Sequence, residues 1–126
     1  MPSFTADSGS GLLPDGDYMF TVTEASLKTT KNGDEMITVT LEIMWGDDSY
    51  LIWENLVFTK KAQWKILQFM ICLGEHYLDG EKVDVEPTDL IGREGKAAVI
   101  TEEYEGKKRN KVANFLEPDD LLGLNK

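Results

Sequence analysis

Met36-Ile37-Thr38-Val39-Thr40-Leu41-Glu42-Ile43-Met44 alternates cleanly, with Ile37, Val39, Leu41 and Ile43 on one face and Thr38, Thr40 and Glu42 on the other. A period of two is the mark of a strand half-buried against a core. Upstream, Asp17 to about Lys28 repeats the pattern, with Tyr18, Phe20 and Val22 set against Thr21 and Thr23. Between the two runs, Lys31-Asn32-Gly33-Asp34 reads as a hairpin turn, because Asn-Gly supplies the positive φ angles that a tight turn requires. Downstream, Trp45-Gly46-Asp47-Asp48-Ser49 is the next turn and Tyr50 to Phe58 the third strand. Its facing is ambiguous: Leu51, Trp53 and Val57 alternate with Tyr50, Ile52 and Leu56, so both faces can be covered.

The period then changes. Thr59 suits an N-cap and Gly74 a C-cap, which predicts a helix over 60–73. Ala62, Ile66, Phe69, Met70 and Leu73 form one stripe on it; Trp64, Leu67 and Ile71 form a second, rotated well away. That second stripe needs cover from the N-terminal segment, from the acidic stretch after the helix, or from another subunit, which makes a homo-oligomer one expectation. Pro87 to Gly92 looks like a single helical turn. Gly95 to Thr101 and Lys111 to Leu116 form a last hairpin through Tyr104-Glu105-Gly106. Strand, strand, strand, helix, strand, strand is the order of a five-stranded Greek-key barrel of the OB type, with its helix between strands 3 and 4. Residues 1–16 read as a flexible lead-in, 17–116 as the domain, and 117–126 as an acidic and apolar tail.

A chain of 126 residues with 41% hydrophobic content supports one folded domain. It shows no apolar run of the roughly 20 residues that a membrane span needs and no signal-peptide pattern, and its single cysteine, Cys72, suits a cytoplasmic setting. The formal net charge of −10 argues against nucleic acid only if charge is evenly spread. It is not: nine of the thirteen basic residues fall in three short segments, at Lys28 and Lys31, at Lys60, Lys61 and Lys65, and at Lys107, Lys108, Arg109 and Lys111.

In the OB architecture, ligands bind on strands 2–3 and on the loops joining strands 1–2 and 4–5. Two of the basic segments fall where those loops are expected. Binding of single strands pairs a basic groove with aromatic platforms. The basic candidates are Lys28, Lys31, Lys107, Lys108, Arg109 and Lys111; the aromatic ones are Trp45, Tyr50, Trp53 and Tyr104. Trp64, Tyr18 and Phe20 read as core, and Lys60, Lys61 and Lys65 as a solvated helix face. No catalytic, cofactor or metal arrangement is visible: His76 is the only histidine, Cys72 lies within the helix without a base, and Asp47-Asp48 and Asp119-Asp120 are turn and tail pairs.

Leu13-Pro14-Asp15-Gly16-Asp17-Tyr18 with Lys31-Asn32-Gly33, then Ile52-Trp53-Glu54-Asn55-Leu56 through Leu73-Gly74, then Leu90-Ile91-Gly92, form an ordered series of blocks. The series resembles small phage and prophage OB-fold single-stranded DNA-binding proteins encoded among replication and recombination genes. The resemblance implies non-sequence-specific binding of single-stranded DNA, with RNA as a second ligand. With no catalytic or cofactor arrangement among the residues, an enzyme is not expected. The rival reading is an acidic interaction or DNA-mimic module. Glu117 to Asp120 with Leu121, Leu122 and Leu124 has the composition either of a peptide that docks on a replication or recombination protein or of a tail that packs on its own domain over Trp64, Leu67 and Ile71.

Overall fold

A computed structural model describes residues 12–118. Its elements are β1 (Gly16–Thr29), β2 (Glu35–Trp45), β3 (Asp48–Val57), α1 (Gln63–Cys72), α2 (Pro87–Leu90), β4 (Glu94–Tyr104) and β5 (Lys107–Leu116). The fold is mainly β. All five strands form one antiparallel sheet in the order β3-β2-β1-β4-β5. β3 and β5 are its two edges, and they pass near one another. None of the described helices is long and apolar enough to cross a membrane.

The alternation that identifies β2 points its apolar face inward: Ile37, Val39, Leu41 and Ile43 are all buried. β1 serves two neighbours in succession. Gly16 to Thr21 pairs with β4, while Glu24 to Thr29 pairs only with β2. A register shift between Val22 and Glu24 marks the bend, as expected of a bulge that leaves one residue unpaired and increases local twist. There Val22 exchanges backbone hydrogen bonds with the Gly92–Arg93 corner, donating to Arg93 O at 2.8 Å and accepting from Gly92 N at 2.7 Å.

Each hairpin closes by its own turn chemistry. Only Gly33 takes a positive φ in the β1–β2 turn, so the Asn-Gly pair there does not form the doubly left-handed turn that the sequence suggests. Gly46 alone does so between β2 and β3, which matches a two-residue II′ turn; Glu105 and Gly106 both do so between β4 and β5, which matches I′. That last hairpin is longer than expected. β4 runs to Tyr104 and β5 starts at Lys107, so the basic run expected in a loop is strand. Glu102 stands opposite Arg109 and Glu103 opposite Lys108, and such opposite-charge pairs support a ladder that has few apolar residues.

The helical part also differs from expectation. α1 begins at Gln63 rather than Lys60, while α2 falls within the single helical turn expected from Pro87 to Gly92. Thr59 caps the preceding turn: its hydroxyl and its carbonyl both accept from Ala62 N, at 3.2 and 3.1 Å. Lys60 and Lys61 therefore stay outside the helix, whose positive N-terminal dipole disfavours cations. At the other end Gly74 (φ +103) closes α1, with Glu75 N donating to Met70 O at 3.1 Å. Arg93 donates to Leu73 O at 2.8 Å and to Glu75 at 3.0 Å, tying the helix end to the start of β4.

The core centres on three rings from three elements. Phe69 of α1 meets Phe115 of β5 edge-on at 4.9 Å and stacks with Phe20 of β1 at 6.3 Å. Leu13, placed in the lead-in by the sequence pattern, is 1% exposed and belongs to this core. The Asn110 amide pairs with both polar groups of the Leu13 backbone, at 2.9 and 3.0 Å, and so holds it down. Residues 1–11 of the lead-in and the tail from residue 119 lie outside the described residues.

Gly95 is where the packing is tightest. It pairs with Phe20, and a Cβ there would sit 2.6 Å from Cys72 Sγ and 2.9 Å from Phe20 Cζ. Gly95→Ala should therefore destabilise by about 1–3 kcal/mol through overpacking, read as a lower urea midpoint at unchanged slope. Combined with Cys72→Ala, which vacates the nearer contact, the cost should be less than the sum of the two.

Candidate nucleic-acid interface

β3 and β5 enclose a groove of about 1000 Å³, lined by Asp48 to Asn55 on one side and Lys108 to Lys111 on the other, with Leu12, Lys65 and Glu102 completing it. The facing of β3, ambiguous in sequence, is settled by its inner row. Ile52 and Leu56 join the core, which turns Leu51, Trp53 and Asn55 outward. Trp53 is 62% exposed and Leu51 47%. An indole this exposed on a regular strand contributes little to folding and leaves a free π-face.

Glu54 shares the inner row yet carries charge, and it is only 7% exposed. Lys65 of α1 pairs with it, so one of the lysines expected on a solvated helix face instead joins α1 to β3 and lines the groove. Opposite, Arg109 donates to Glu102 Oε2 from Nε at 2.8 Å, with Nη2 in ion-pair contact with the same oxygen at 2.7 Å, while Lys111 lies 3.5 Å from Oε1. The Arg109 guanidinium also sits 4.4 Å from the centroid of the Tyr104 ring. The hydrogen bond from Arg109, with the charge of Lys111 behind it, holds the Glu102 carboxyl below the usual glutamate range. Four cations face three carboxylates along the groove, so the site is close to locally neutral within a chain of net charge −10.

The groove thus gathers five of the ten sequence candidates: Tyr50, Trp53, Lys108, Arg109 and Lys111. Trp45, 44% exposed, is not in the lining but packs edge-on against Tyr50 at 6.3 Å. Tyr104 lies outside it beneath Arg109, and Lys107 stands opposite Tyr104 at the hairpin tip. Lys28 and Lys31 are exposed but are not part of this groove. Register places them at its far end: Lys28 pairs with Met36, and Met36 with Val57, whereas the groove uses Asp48 to Asn55. Leu51, Asn55, Lys65, Glu102 and Asn110 are lining residues that sequence reasoning did not select. Parity pointed to the first two once Ile52 and Leu56 were assigned inward; the other three depend on tertiary placement.

The remaining expectations are quickly placed. Phe20 is core, as expected, but Trp64 is 62% exposed. It lines a second groove of about 1000 Å³ between the outer stripe of α1 and the stretch Tyr77 to Val83, so the acidic stretch is what faces that stripe. Burial pushes the Cys72 thiol up, and its Sγ donates to Lys96 O at 3.2 Å, the setting of a structural thiol.

The sequence matches, over residues 5–120, the family described as "Protein of unknown function (DUF669)", and the chain belongs to that family. No curated protein shows significant similarity to it.

The two halves of the candidate set separate by mutation. Trp53→Ala should leave thermal stability near the parent value, because the ring is exposed, yet cost about 1–3 kcal/mol in binding a single strand on which it stacks. Lys28→Ala with Lys31→Ala should change that binding far less. An affinity loss concentrated at Lys28 and Lys31 would relocate the interface to the β1–β2 turn.

Proposed function

We propose that this DUF669 chain is an OB-type barrel protein that binds single-stranded DNA, without sequence preference, along the groove between β3 and β5. The observation that carries the reading is Trp53, exposed on β3 and facing the same groove as Lys108, Arg109 and Lys111. Together they supply a stacking platform beside a line of cations, the two elements that non-specific single-strand binding combines. The barrel reading draws support from the strand order β3-β2-β1-β4-β5, from the approach of the two edge strands, and from α1 lying between β3 and β4 in the chain. The resemblance of the sequence blocks to phage single-strand binders leads us to favour DNA as the ligand, and with it a role in phage replication or recombination in a host cytoplasm. RNA is the second ligand, since stacking on Trp53 does not discriminate between the sugars.

An acidic interaction module is the competing reading. The net charge of −10 and the three carboxylates in the groove favour it.

Titration of labelled oligo-dT at two salt concentrations, against a duplex of equal length, separates the two. Single-strand binding should exceed duplex binding, quench tryptophan fluorescence, and weaken with salt by a log–log slope of about 0.7 per phosphate neutralised. Equal affinity for duplex, or no binding at low salt, rejects the proposal and leaves the interaction module.

A further inference from the structure

We propose that Glu102 occupies the phosphate seat of this groove, and that a nucleic-acid strand gains Arg109 and Lys111 only by displacing it. The inference rests on the single-strand reading above and specifies how that site is regulated from within.

Glu102 is a residue of β4, directly across the ladder from Arg109 of β5. Its Oε2 accepts a hydrogen bond from Nε at 2.8 Å and lies 2.7 Å from Nη2 on the same guanidinium edge, and its Oε1 faces Lys111 Nζ at 3.5 Å. That edge of a guanidinium is the one that grips either a carboxylate or a phosphate. The ring of Tyr104 lies against the guanidinium, 4.4 Å away, and holds its plane. The donors are thus preorganised for an oxyanion, and an oxyanion of the chain already fills them.

The neighbouring pair behaves differently. Glu103 stands opposite Lys108 in the ladder, and both are exposed, but no ion pair joins them. Lys108 is therefore open to a phosphate at once, while Arg109 and Lys111 are held in reserve. The Glu102 side chain keeps 26% of its surface in water and that of Arg109 keeps 56%, and ion pairs at such exposure are weak enough to exchange. Displacement leaves Glu102 near the strand as a like charge, so its presence both occupies the donors and repels the ligand.

The charge-matched comparison is Glu102→Gln against Glu103→Gln. The two variants remove one carboxylate each from adjacent positions of the same strand, and only the first frees Arg109 and Lys111. Anisotropy titration with labelled oligo-dT should show Glu102→Gln binding roughly 3- to 10-fold tighter at low salt, the scale of two exposed ion pairs. Its salt slope should steepen by about 0.7 for each freed cation that takes a phosphate. Glu103→Gln should change affinity by less than about 2-fold, on the scale of one unpaired surface charge. In an Arg109→Ala, Lys111→Ala background, Glu102→Gln should have no further effect beyond that of Glu103→Gln. Parent binding with Glu102→Gln unaltered or weaker, or equal gains from both glutamine variants, overturns this inference and leaves the proposed function standing. No binding by the parent or by Glu102→Gln overturns both.

Discussion

The contact among Phe20, Phe69 and Phe115 is the constraint from which the rest of this fold follows. It joins β1, α1 and β5, three elements far apart in the chain, with centroids 4.9 to 6.3 Å from one another. Aromatic pairs at such distances combine large apolar burial with preferred angles, so they fix orientation as well as proximity. Gly95 makes the contact possible, because Phe20 and Cys72 close over the space that a side chain would take. Once α1 is seated there, it reaches both edges of the sheet. Lys65 pairs with Glu54 of β3, and Gln68 Oε1 accepts from Phe115 N of β5 at 3.2 Å. One helix thereby sets the separation of the two edge strands, and that separation is the groove.

Much of this was legible because the apolar runs of β1 and β2 alternate with period two, a signal that needs no tertiary context. The hairpin β4–β5 was underestimated for the opposite reason. Glu102, Glu103, Lys107, Lys108 and Arg109 carry no apolar alternation, and the side-chain support for this end of the ladder is the pairing of Glu102 with Arg109 and Lys111. Such a signal exists only once the two segments are in register. Trp53 was a candidate whose facing stayed ambiguous, because Tyr50, Ile52 and Leu56 are as apolar as Leu51, Trp53 and Val57, and because the one charged residue of the run, Glu54, lies on the inner row. Its partner is on a helix whose position sequence could not supply. Leu13 followed the same logic: glycines and prolines around it signal a turn, while its burial depends on Asn110, ninety-seven residues away.

The basic segments illustrate how charge and register interact. Clustering by sequence put Lys28 and Lys31 with Lys107 to Lys111, since both sit near hairpin ends of an expected barrel. Register separates them along β3, and the cations that share a groove with Trp53 are those of β5 and α1. Their charge is largely answered by the chain itself, through Glu54 for Lys65 and Glu102 for Arg109 and Lys111.

Under the proposed single-strand binding, a protein of net charge −10 has to solve the approach of a polyanion as well as the contact. At physiological ionic strength the screening length is about 8 Å, so a strand lying in the groove responds to the groove's own charges more than to the acidic stretch after α1. At that range the cations are nearly balanced by carboxylates, and electrostatics alone supply little net attraction. On the proposed reading, affinity would come from what the local balance does not cancel, namely stacking on Trp53, apolar contact with Leu51, and the cations that displacement of Glu102 would release. A site of this kind favours a ligand that presents bases and phosphates together. A single strand does so, whereas a duplex keeps its bases stacked inside and offers the groove only its charge.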